Sequence, residues 1–494
     1  MADDEKVLRS SDIAYDNSLD VFQVPVANLG VSDTKNVSFK PSNSYDIEGN
    51  IKFRVPPAGN CYLDLREMYL KTLVRIVHGN GQRIPPNPKS IWTETPTETH
   101  PPGPSTADKK VAGEEGAETN QPDPATARVN KKAAAEEEET SGLWRVGPVA
   151  YLAHSLWDSV EVRFNDCVVH GGQTGYSYRA VLNTLLGEND LTDEELQCGM
   201  CIKDTAGHTD DIDLATTAND GFIKRARLMR ESRTVELLSK VDCDVLKLNK
   251  FLVNGISIDL TLVPTSSAFR LLTANNKYTD YTLEIVDISL EVKMVSPSNQ
   301  VLVAHQEVMQ SSLSRARYFY LKEDLRKFAI PKSSNSFFIE DAFCGKIPNS
   351  LVICFVPSDS LSGSMRKNPY SFKHFKLTYL NVSLSGRPSP CGPLSFDFEN
   401  GKFIKGYKDL YSGKTGPATN DQRITLNEFT RGFSIFRVVL NSQSDSEHFP
   451  AIRDGSVRLE CRFAEQLQES IVMLAHITMP SSFDVDYTRG IHLG

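Results

Sequence analysis

The chain has 494 residues, 40% hydrophobic and 24% charged, which is too long for one ordinary core and fits a globular protein of two or three domains. A formal net charge of -9 lacks the overall basic signature of a nucleic-acid binder, although a local basic face stays open. Nine cysteines, scattered singly except for Cys198 and Cys201, make no disulfide framework and fit a reducing compartment. The opening MADDEKVLRSSD is acidic and polar where a secretory signal needs an apolar core. The longest apolar runs, Leu351–Pro357 and Ile471–Met479, have strand length and are too short to cross a bilayer. A soluble intracellular product is expected, with the Asn36-Val37-Ser38 and Asn381-Val382-Ser383 sequons unmodified.

Leu63–Val77 is a long mixed run in which Thr72, Val74, Ile76 and Val77 favour a strand at its end. Gly79–Gly142 follows, rich in Pro, Glu, Thr, Ala and Lys, with Ile91 and Trp92 among its few large apolar residues. Ordering a backbone costs about 1–2 kcal/mol per residue, and little here offsets that, so a disordered surface insertion between two strands is expected. Val149–Trp157 gathers Leu152, Leu156 and Trp157 after Pro148 and reads as a short helix. Tyr178–Leu186 reads as a second helix, with Val181, Leu182 and Leu185 on one side.

Phe251–Val263 carries Asn254-Gly255 between apolar alternations, a strong hairpin signal. Leu283–Met294 alternates cleanly but changes phase at Val286, as a β-bulge would make it do. Ser296–Asn299 is the natural domain boundary. Leu377–Leu384 changes phase at Leu380, and a weak helical turn falls near Lys408–Tyr411. Ser434–Leu440 and Ile471–Met479 supply strands, and Val457–Phe463 alternates without a break. Its Val457, Leu459, Cys461 and Phe463 share one face, and Arg458, Glu460 and Arg462 the other.

One strand is echoed. Setting His154 against His374 puts Val160 on Leu380, Val162 on Val382 and Phe164 on Leu384. Both segments then end in a turn pair, Asn165-Asp166 or Ser385-Gly386. Such an echo suggests two similar β domains in tandem. Many strands, short helices and long connections point to β-sandwiches rather than βαβ units.

Candidate chemistry is sparse. Cys198-Gly199-Met200-Cys201 has the spacing of half a zinc site, but only His208 lies nearby and no second pair follows, so loop cysteines are the better reading. The acidic run Asp204, Asp210, Asp211, Asp213 with His208 lacks EF-hand spacing and reads as a solvated loop. Ser412-Gly413-Lys414-Thr415 resembles the end of a phosphate-binding loop, but Lys408 stands where a glycine is required. Lys224, Arg225, Arg227, Arg230 and Arg233, read as alternating on a strand, could contact phosphates, pair between subunits or face water. Arg366, Lys367, Lys373 and Lys376 interleave with Tyr370, Phe372 and Phe375, a pattern that can stack bases, though Phe372 and Phe375 read better as loop anchors. No signature of an enzyme stands out, and no catalytic, cofactor-binding or metal residue is assigned.

Several strings together resemble the double jelly-roll major capsid proteins of Polinton (Maverick) elements and their adintovirus relatives. They are GPVAYLAHSLWDSVEVRFND (147–166), YSYRAVLNTLL (176–186), KDTAGHTDD (203–211), FLVNGISIDLTLVP (251–264) and VLVAHQEV (301–308). RKNPYSFKHFKLTYLNVSLSG (366–386), DFENGKFIKGYKDLYSGKTG (397–416) and HFPAIRDGSVRLECRFA (448–464) follow in order, with KDTAGH and RKNPxxFKHF the specific ones. The 79–142 insertion is long for that family, and FDVDYTRGIHL after Met479 bears only a vague likeness.

The resemblance implies an all-β chain of two tandem jelly-roll sandwiches. Residues 1–18 would be a flexible arm, 19–297 the first roll, 298–480 the second and 481–494 a tail. It implies a non-enzymatic shell protein without cofactor, trimerising into pseudo-hexagonal capsomers of an icosahedral capsid around double-stranded DNA. The implied partners are further copies of itself, a penton single jelly-roll protein, minor capsid proteins and non-specifically contacted DNA, with no membrane span. It would reside in the virion, and in cytoplasm or nucleus before assembly. The alternative is a domesticated jelly-roll protein that recognises glycans or proteins and no longer forms particles.

Overall fold

The computed structural model describes residues 30–43, 49–84, 146–189, 191–214, 216–274, 280–311, 314–412, 423–440 and 452–494. The expected N-terminal arm 1–18 and residues 85–142 of the expected insertion lie outside these. In chain order the first strands are β1 (Val31–Phe39), β2 (Ile51–Val55), β3 (Tyr62–His78), β4 (Val146–Pro148) and β5 (Trp157–Phe164). Next come β6 (Cys167–His170), β7 (Val235–Lys240), β8 (Ile258–Pro264), β9 (Leu271–Thr273) and β10 (Tyr281–Pro297). The later half holds β11 (Ala316–Ile330), β12 (Ser336–Lys346), β13 (Ser350–Pro357), β14 (Leu377–Leu384) and β15 (Arg387–Pro388). It closes with β16 (Leu394–Ser395), β17 (Ile435–Val439), β18 (Asp454–Phe463), β19 (Ile471–Val485) and β20 (Ile491–Leu493).

The pairing is nested. β1 pairs β10, β2 pairs β8, β3 pairs β7 and β5 pairs β6, all antiparallel, like the legs of one long hairpin rolled up. Rolling brings β10 beside β3 and β8 beside β5, giving sheets β1-β10-β3-β7 and β2-β8-β5-β6. The later half repeats this: β11-β19-β13-β17 and β12-β18-β14-β15. Each half is a jelly roll, and the fold is a double jelly roll.

The echoed segments are the same strand of the two rolls. β5 and β14 stand third in their sheets. The register slips between Trp157 and Ser159 against β8, and between Leu377 and Tyr379 against β18. With His154 set on His374, those bulges fall on the matching residues Asp158 and Thr378. Both strands then turn through two positive-φ residues, Asn165 (45°) and Asp166 (67°), or Ser385 (46°) and Gly386 (80°). That geometry suits the right-handed strand twist of a two-residue hairpin. The extra residue in β14 is thus Thr378 rather than Leu380.

Alternation predicted faces well. Val457, Leu459, Cys461 and Phe463 are buried, and Arg458 and Arg462 exposed. In β10 the register against β3 slips between Ile285 and Asp287, leaving Val286 outward.

Other readings need correction. Only Leu152–Ser155 of the expected Val149–Trp157 helix is helical, because Pro148 ends β4, Tyr151 is left-handed (φ 55°) and Trp157 starts β5. The basic run lies on a helix, Asp220–Leu228, not on a strand. Asn219 caps it by accepting from Phe222 N, and Phe222 and Ala226, one turn apart, crowd Gly147 of β4. Asn254-Gly255 makes a turn but no hairpin of two strands, since β8 pairs with β2 and β5 and Leu252 only bridges Leu63. At the expected boundary a helix, Asn299–Ser311, joins the two rolls. Residues 481–494 are no loose tail: β19 runs on to Val485, and β20 pairs with it. The described start of the insertion, Gly79–Ile84, turns back so that Ile84 is buried and its N–H meets Ser232 Oγ at 2.7 Å.

Candidate functional site: the seam between the rolls

The Tyr176–Leu186 helix, capped at both ends by left-handed glycines, is buried at every residue. A helix covered on all sides must find partners for each polar group it carries. Arg179 and Asn183 find theirs in both rolls, although the Tyr178 hydroxyl and Asn183 Oδ1 have no hydrogen-bond partner among the described residues. Asn183 Nδ2 donates to Asp242 Oδ2 (2.9 Å) and to Glu323 Oε2 (2.8 Å) on β11. Arg179 Nη1 donates to His170 Nε2 (3.2 Å), which leaves the ring proton on Nδ1, 2.7 Å from Asp244 Oδ1. Arg179 Nε lies 3.6 Å from Glu323 Oε2. Lys247 Nζ bridges Asp242 Oδ1 (2.5 Å) and Glu323 Oε1 (2.7 Å), and Glu323 N donates to Asp244 Oδ2 (3.0 Å). His476 of β19 stands beside the network, with Nε2 3.9 Å from Glu323 and beyond hydrogen-bond distance.

Burial alone would raise the Glu323 carboxyl, but Lys247, His476 and Arg179 overcome it and hold the group well below the usual carboxylate range. Asp244 behaves likewise, with burial opposed by His170 and Arg179. On Lys247 burial pulls down, and Asp242 and Glu323 more than restore it. Glu323, Asp244 and Lys247 are held in their charged forms by one another and by Arg179, so removing one of them leaves a buried charge without its partner.

A second cluster joins the two most specific strings of the sequence. Asp204 of KDTAGH receives Arg225 Nη2 (2.7 Å), Asn219 Nδ2 (2.9 Å) and, across the seam, Asn368 Nδ2 (2.7 Å) of RKNPYSFKHF. Asn368 also donates to Thr209 O (2.7 Å), and Thr209 and Ser371 share a hydroxyl contact of 2.8 Å. Asp210 pairs with Lys373 (2.7 Å), and Lys203 with Glu428 (2.7 Å). Beside them Tyr370 meets Tyr151, Tyr178 and Phe269 edge to face at 5.6–6.0 Å, and its hydroxyl lies 2.6 Å from Ser155 Oγ.

The residues weighed from sequence are thereby placed. Arg225 is fully buried against Asp204, while Lys224, Arg227, Arg230 and Arg233 face outward. Lys367 pairs with Glu469 and Asp359, and Lys376 with Glu465 and Glu399, so those lysines are matched within the chain. Tyr370 and Phe372 are buried, which makes them anchors rather than a stacking platform. Asp211 pairs with His208 at 2.6 Å, and Asp213 accepts from Thr216. Gly413, Lys414 and Thr415 lie outside the described residues.

Among the described residues the one group of His, Cys and carboxylates close enough to share a metal is His170, Cys243 and Asp244, and Cys198, Cys201 and His208 do not form one. Both His170 nitrogens are engaged, one by a guanidinium, and burial pushes the Cys243 thiol far up. The group belongs to the charged network around Arg179 and Glu323 and does not suit a cation.

Arg179, Asp242, Asp244, Lys247, Glu323 and His476 went unnoticed in the sequence. The available signal was a charged or polar residue set inside an apolar run, as Arg179 in YSYRAVLNTLL and His476 in IVMLAHITM. Among the described residues no helix is long and apolar enough to cross a membrane.

No family model matches the chain. The uncharacterised Caenorhabditis elegans protein F54H12.2 is 21% identical over 356 residues, 69% of this chain and 80% of that one. The Sputnik virophage structure contains a chain that matches with a TM-score of 0.58 at 13% identity, covering 98% of this chain and 93% of its own length. The Faustovirus major capsid protein matches with a TM-score of 0.53 at 8% identity, over 97% and 93%. PBCV-1 VP54, fitted into a reconstruction of Sputnik, gives 0.51 at 7%, over 96% and 99%. The structural neighbours are double jelly-roll viral major capsid proteins, and what this chain shares with them is the fold.

Proposed function

We propose that this chain is a structural capsid protein of the Polinton (Maverick) and adintovirus type, without catalytic activity or cofactor. In this reading it trimerises into pseudo-hexagonal capsomers that tile an icosahedral shell around double-stranded DNA. The observation that carries it is the internal repeat: two rolls of identical strand order, locked by a buried charged seam. Two equivalent rolls in each of three copies give a near-sixfold outline, the shape needed to tile a closed surface. A rigid seam keeps that outline constant from copy to copy. The vertices would take a separate penton single jelly-roll protein, minor capsid proteins would bind between capsomers, and DNA would be contacted without sequence preference. The roll boundaries at 19–297 and 298–480 belong to the same proposal, with the second roll extended to take in β20.

Light scattering on the purified chain, followed by negative-stain microscopy, tests this. Trimers of hexagonal outline are expected, with shells under assembly conditions. A chain that stays monomeric under every assembly condition would overturn the reading and favour a jelly-roll binding protein instead.

A further inference from the structure

The two rolls are built from equivalent elements, but only half of those elements are covered. In the seam, the connection between β6 and β7 of the first roll lies on β11, the first strand of the second. Asn183 and Arg179 of that connection meet Glu323 of β11, and Thr174 Oγ1 accepts from Lys327 Nζ at 3.3 Å. The Tyr176–Leu186 helix is buried at every residue, and β11 buries Tyr318, Tyr320, Glu323, Leu325 and Ile330.

The counterparts of these two elements are bare. β1 stands in the first roll where β11 stands in the second, at the edge of its sheet. None of its nine residues is buried, and only Val31, Val37 and Phe39 are half-buried. An antiparallel strand commonly packs one face on a core, so β1 lacks a cover that β11 has. Apolar side chains flank it. Val286 of β10 adjoins Asp287, which pairs with Lys40 just past the end of β1. Val303 lies on the Asn299–Ser311 helix, and Ser298, just before that helix, donates its N–H to Gly30 O at 2.9 Å, where β1 begins.

The β16–β17 connection of the second roll is the counterpart of the β6–β7 connection. Its helices Ile404–Leu410 and Leu426–Thr430 pack together through Phe429, which Phe403 and Tyr407 meet at 6.3 and 5.6 Å. Glu428 faces the first roll, 2.7 Å from Lys203. Leu426, two residues earlier and so about 200° round the helix, faces away from the seam. Ile404 and Leu426, like Val286 and Val303, are 40–55% exposed.

We propose that the β16–β17 connection of one copy packs on β1 of the next copy, repeating between chains the contact that the seam makes within one. This rests on the trimeric reading above and names its faces. The occupant of each bare face is a second copy of this chain, joined head to tail through unlike surfaces, which is the kind of contact that closes into rings. Seam and inter-copy contact then alternate, and six rolls close the ring after three chains. The two contacts differ in chemistry. Buried ions lock the seam, whereas the bare faces carry Ile404 and Leu426 on one side, and Val286, Val303 and the exposed Ser32, Thr34, Asn36 and Ser38 on the other. Burial of aliphatic surface drives the inter-copy contact.

Sedimentation velocity on the full chain tests this with two double variants. Ile404→Arg with Leu426→Arg spoils the connection, Thr34→Arg with Asn36→Arg spoils β1, and Phe338→Arg is a control on exposed β12, outside both faces. Parent and control should be trimers, and each double variant alone should need a concentration at least about a hundredfold higher to associate. An equimolar mixture of the two double variants should form dimers that grow no further, because one sound connection and one sound β1 remain. Circular dichroism and Tm confirm folding; if a double variant does not fold, Leu426→Arg and Thr34→Arg alone take its place. The inference is overturned if the parent is trimeric and either variant trimerises as readily, or if the mixture stays monomeric. A parent chain that is monomeric at every concentration overturns the trimeric reading and this inference with it.

Discussion

Asn368→Asp changes almost no volume, yet it reverses the sense of two hydrogen bonds in the seam. The Asn368 amide nitrogen donates to Asp204 Oδ2 and Thr209 O, both at 2.7 Å, and the residue is 0% exposed. After substitution an oxygen faces two oxygens, one of them a carboxylate. At about 3 Å and an effective dielectric of about 20, that repulsion is about 5 kcal/mol. The introduced group can escape by binding a proton, which costs about 4 kcal/mol at about pH 7 for a carboxyl with an ordinary value near about 4. The penalty is capped there. Because the fold raises this carboxyl above its unfolded value, the penalty is full at neutral pH and disappears as pH falls through the unfolded value. Urea unfolding of both proteins should show a deficit of about 4 kcal/mol at about pH 7, shrinking to about 1 kcal/mol at about pH 4.5. Asn368→Leu should show a loss that does not shrink this way. Equal stability at neutral pH, or an equal deficit at both pH values, would refute the seam geometry.

Glu323→Gln should cost about 3–5 kcal/mol at neutral pH, since Lys247 and Arg179 would face a neutral amide. Glu323 is held well below the ordinary carboxylate range, so its contribution is present above that range and is lost only as pH falls through the lower folded value. Urea midpoints should show the deficit of the variant closing only in strong acid. Val457→Asp with Leu459→Asp puts two unpaired charges on a face that is 0% and 1% exposed, at several kcal/mol each; a soluble, cooperatively melting double variant would contradict the β18 assignment. Gly221→Ala would place a Cβ 1.9 Å from the Lys203 carbonyl oxygen, and thermal melts should show a loss of about 2 kcal/mol or more as the 203–211 loop is pushed aside. Deleting residues 82–140 removes Ile84, which is 4% exposed, so that deletion should melt lower than one running from 87 to 140.

What was legible in the sequence was whatever repeats at short range. The faces of β18, the slip at Val286 and the echo between β5 and β14 all follow from the period-two geometry of a strand, which writes burial into neighbouring residues. The seam is different. Asp204 and Asn368 are 164 positions apart, and Asn183 and Glu323 are 140. Nothing local marks such partners, so the acidic and basic strings read as solvated or surface charge, although Asp204 and Arg225 neutralise each other inside the protein. The strand reading of the basic run failed because Asn219 caps a helix that no long apolar stripe announces.

The far ends of β11 and β19 leave their own roll: Tyr318, Tyr320, Phe483 and Val485 complete the apolar core of the first, where Phe483 packs on Phe164 at 5.5 Å. This has a consequence for the order of events during synthesis. The chain emerges from the ribosome N-terminus first, so the earlier roll must wait with that part of its core open until residue 485 has been made. Until then it carries an exposed apolar face and a charged helix without its Glu323 partner, which is the state in which large nascent proteins are prone to aggregate. The two halves mature together, and chaperone demand should peak while the later strands are being translated.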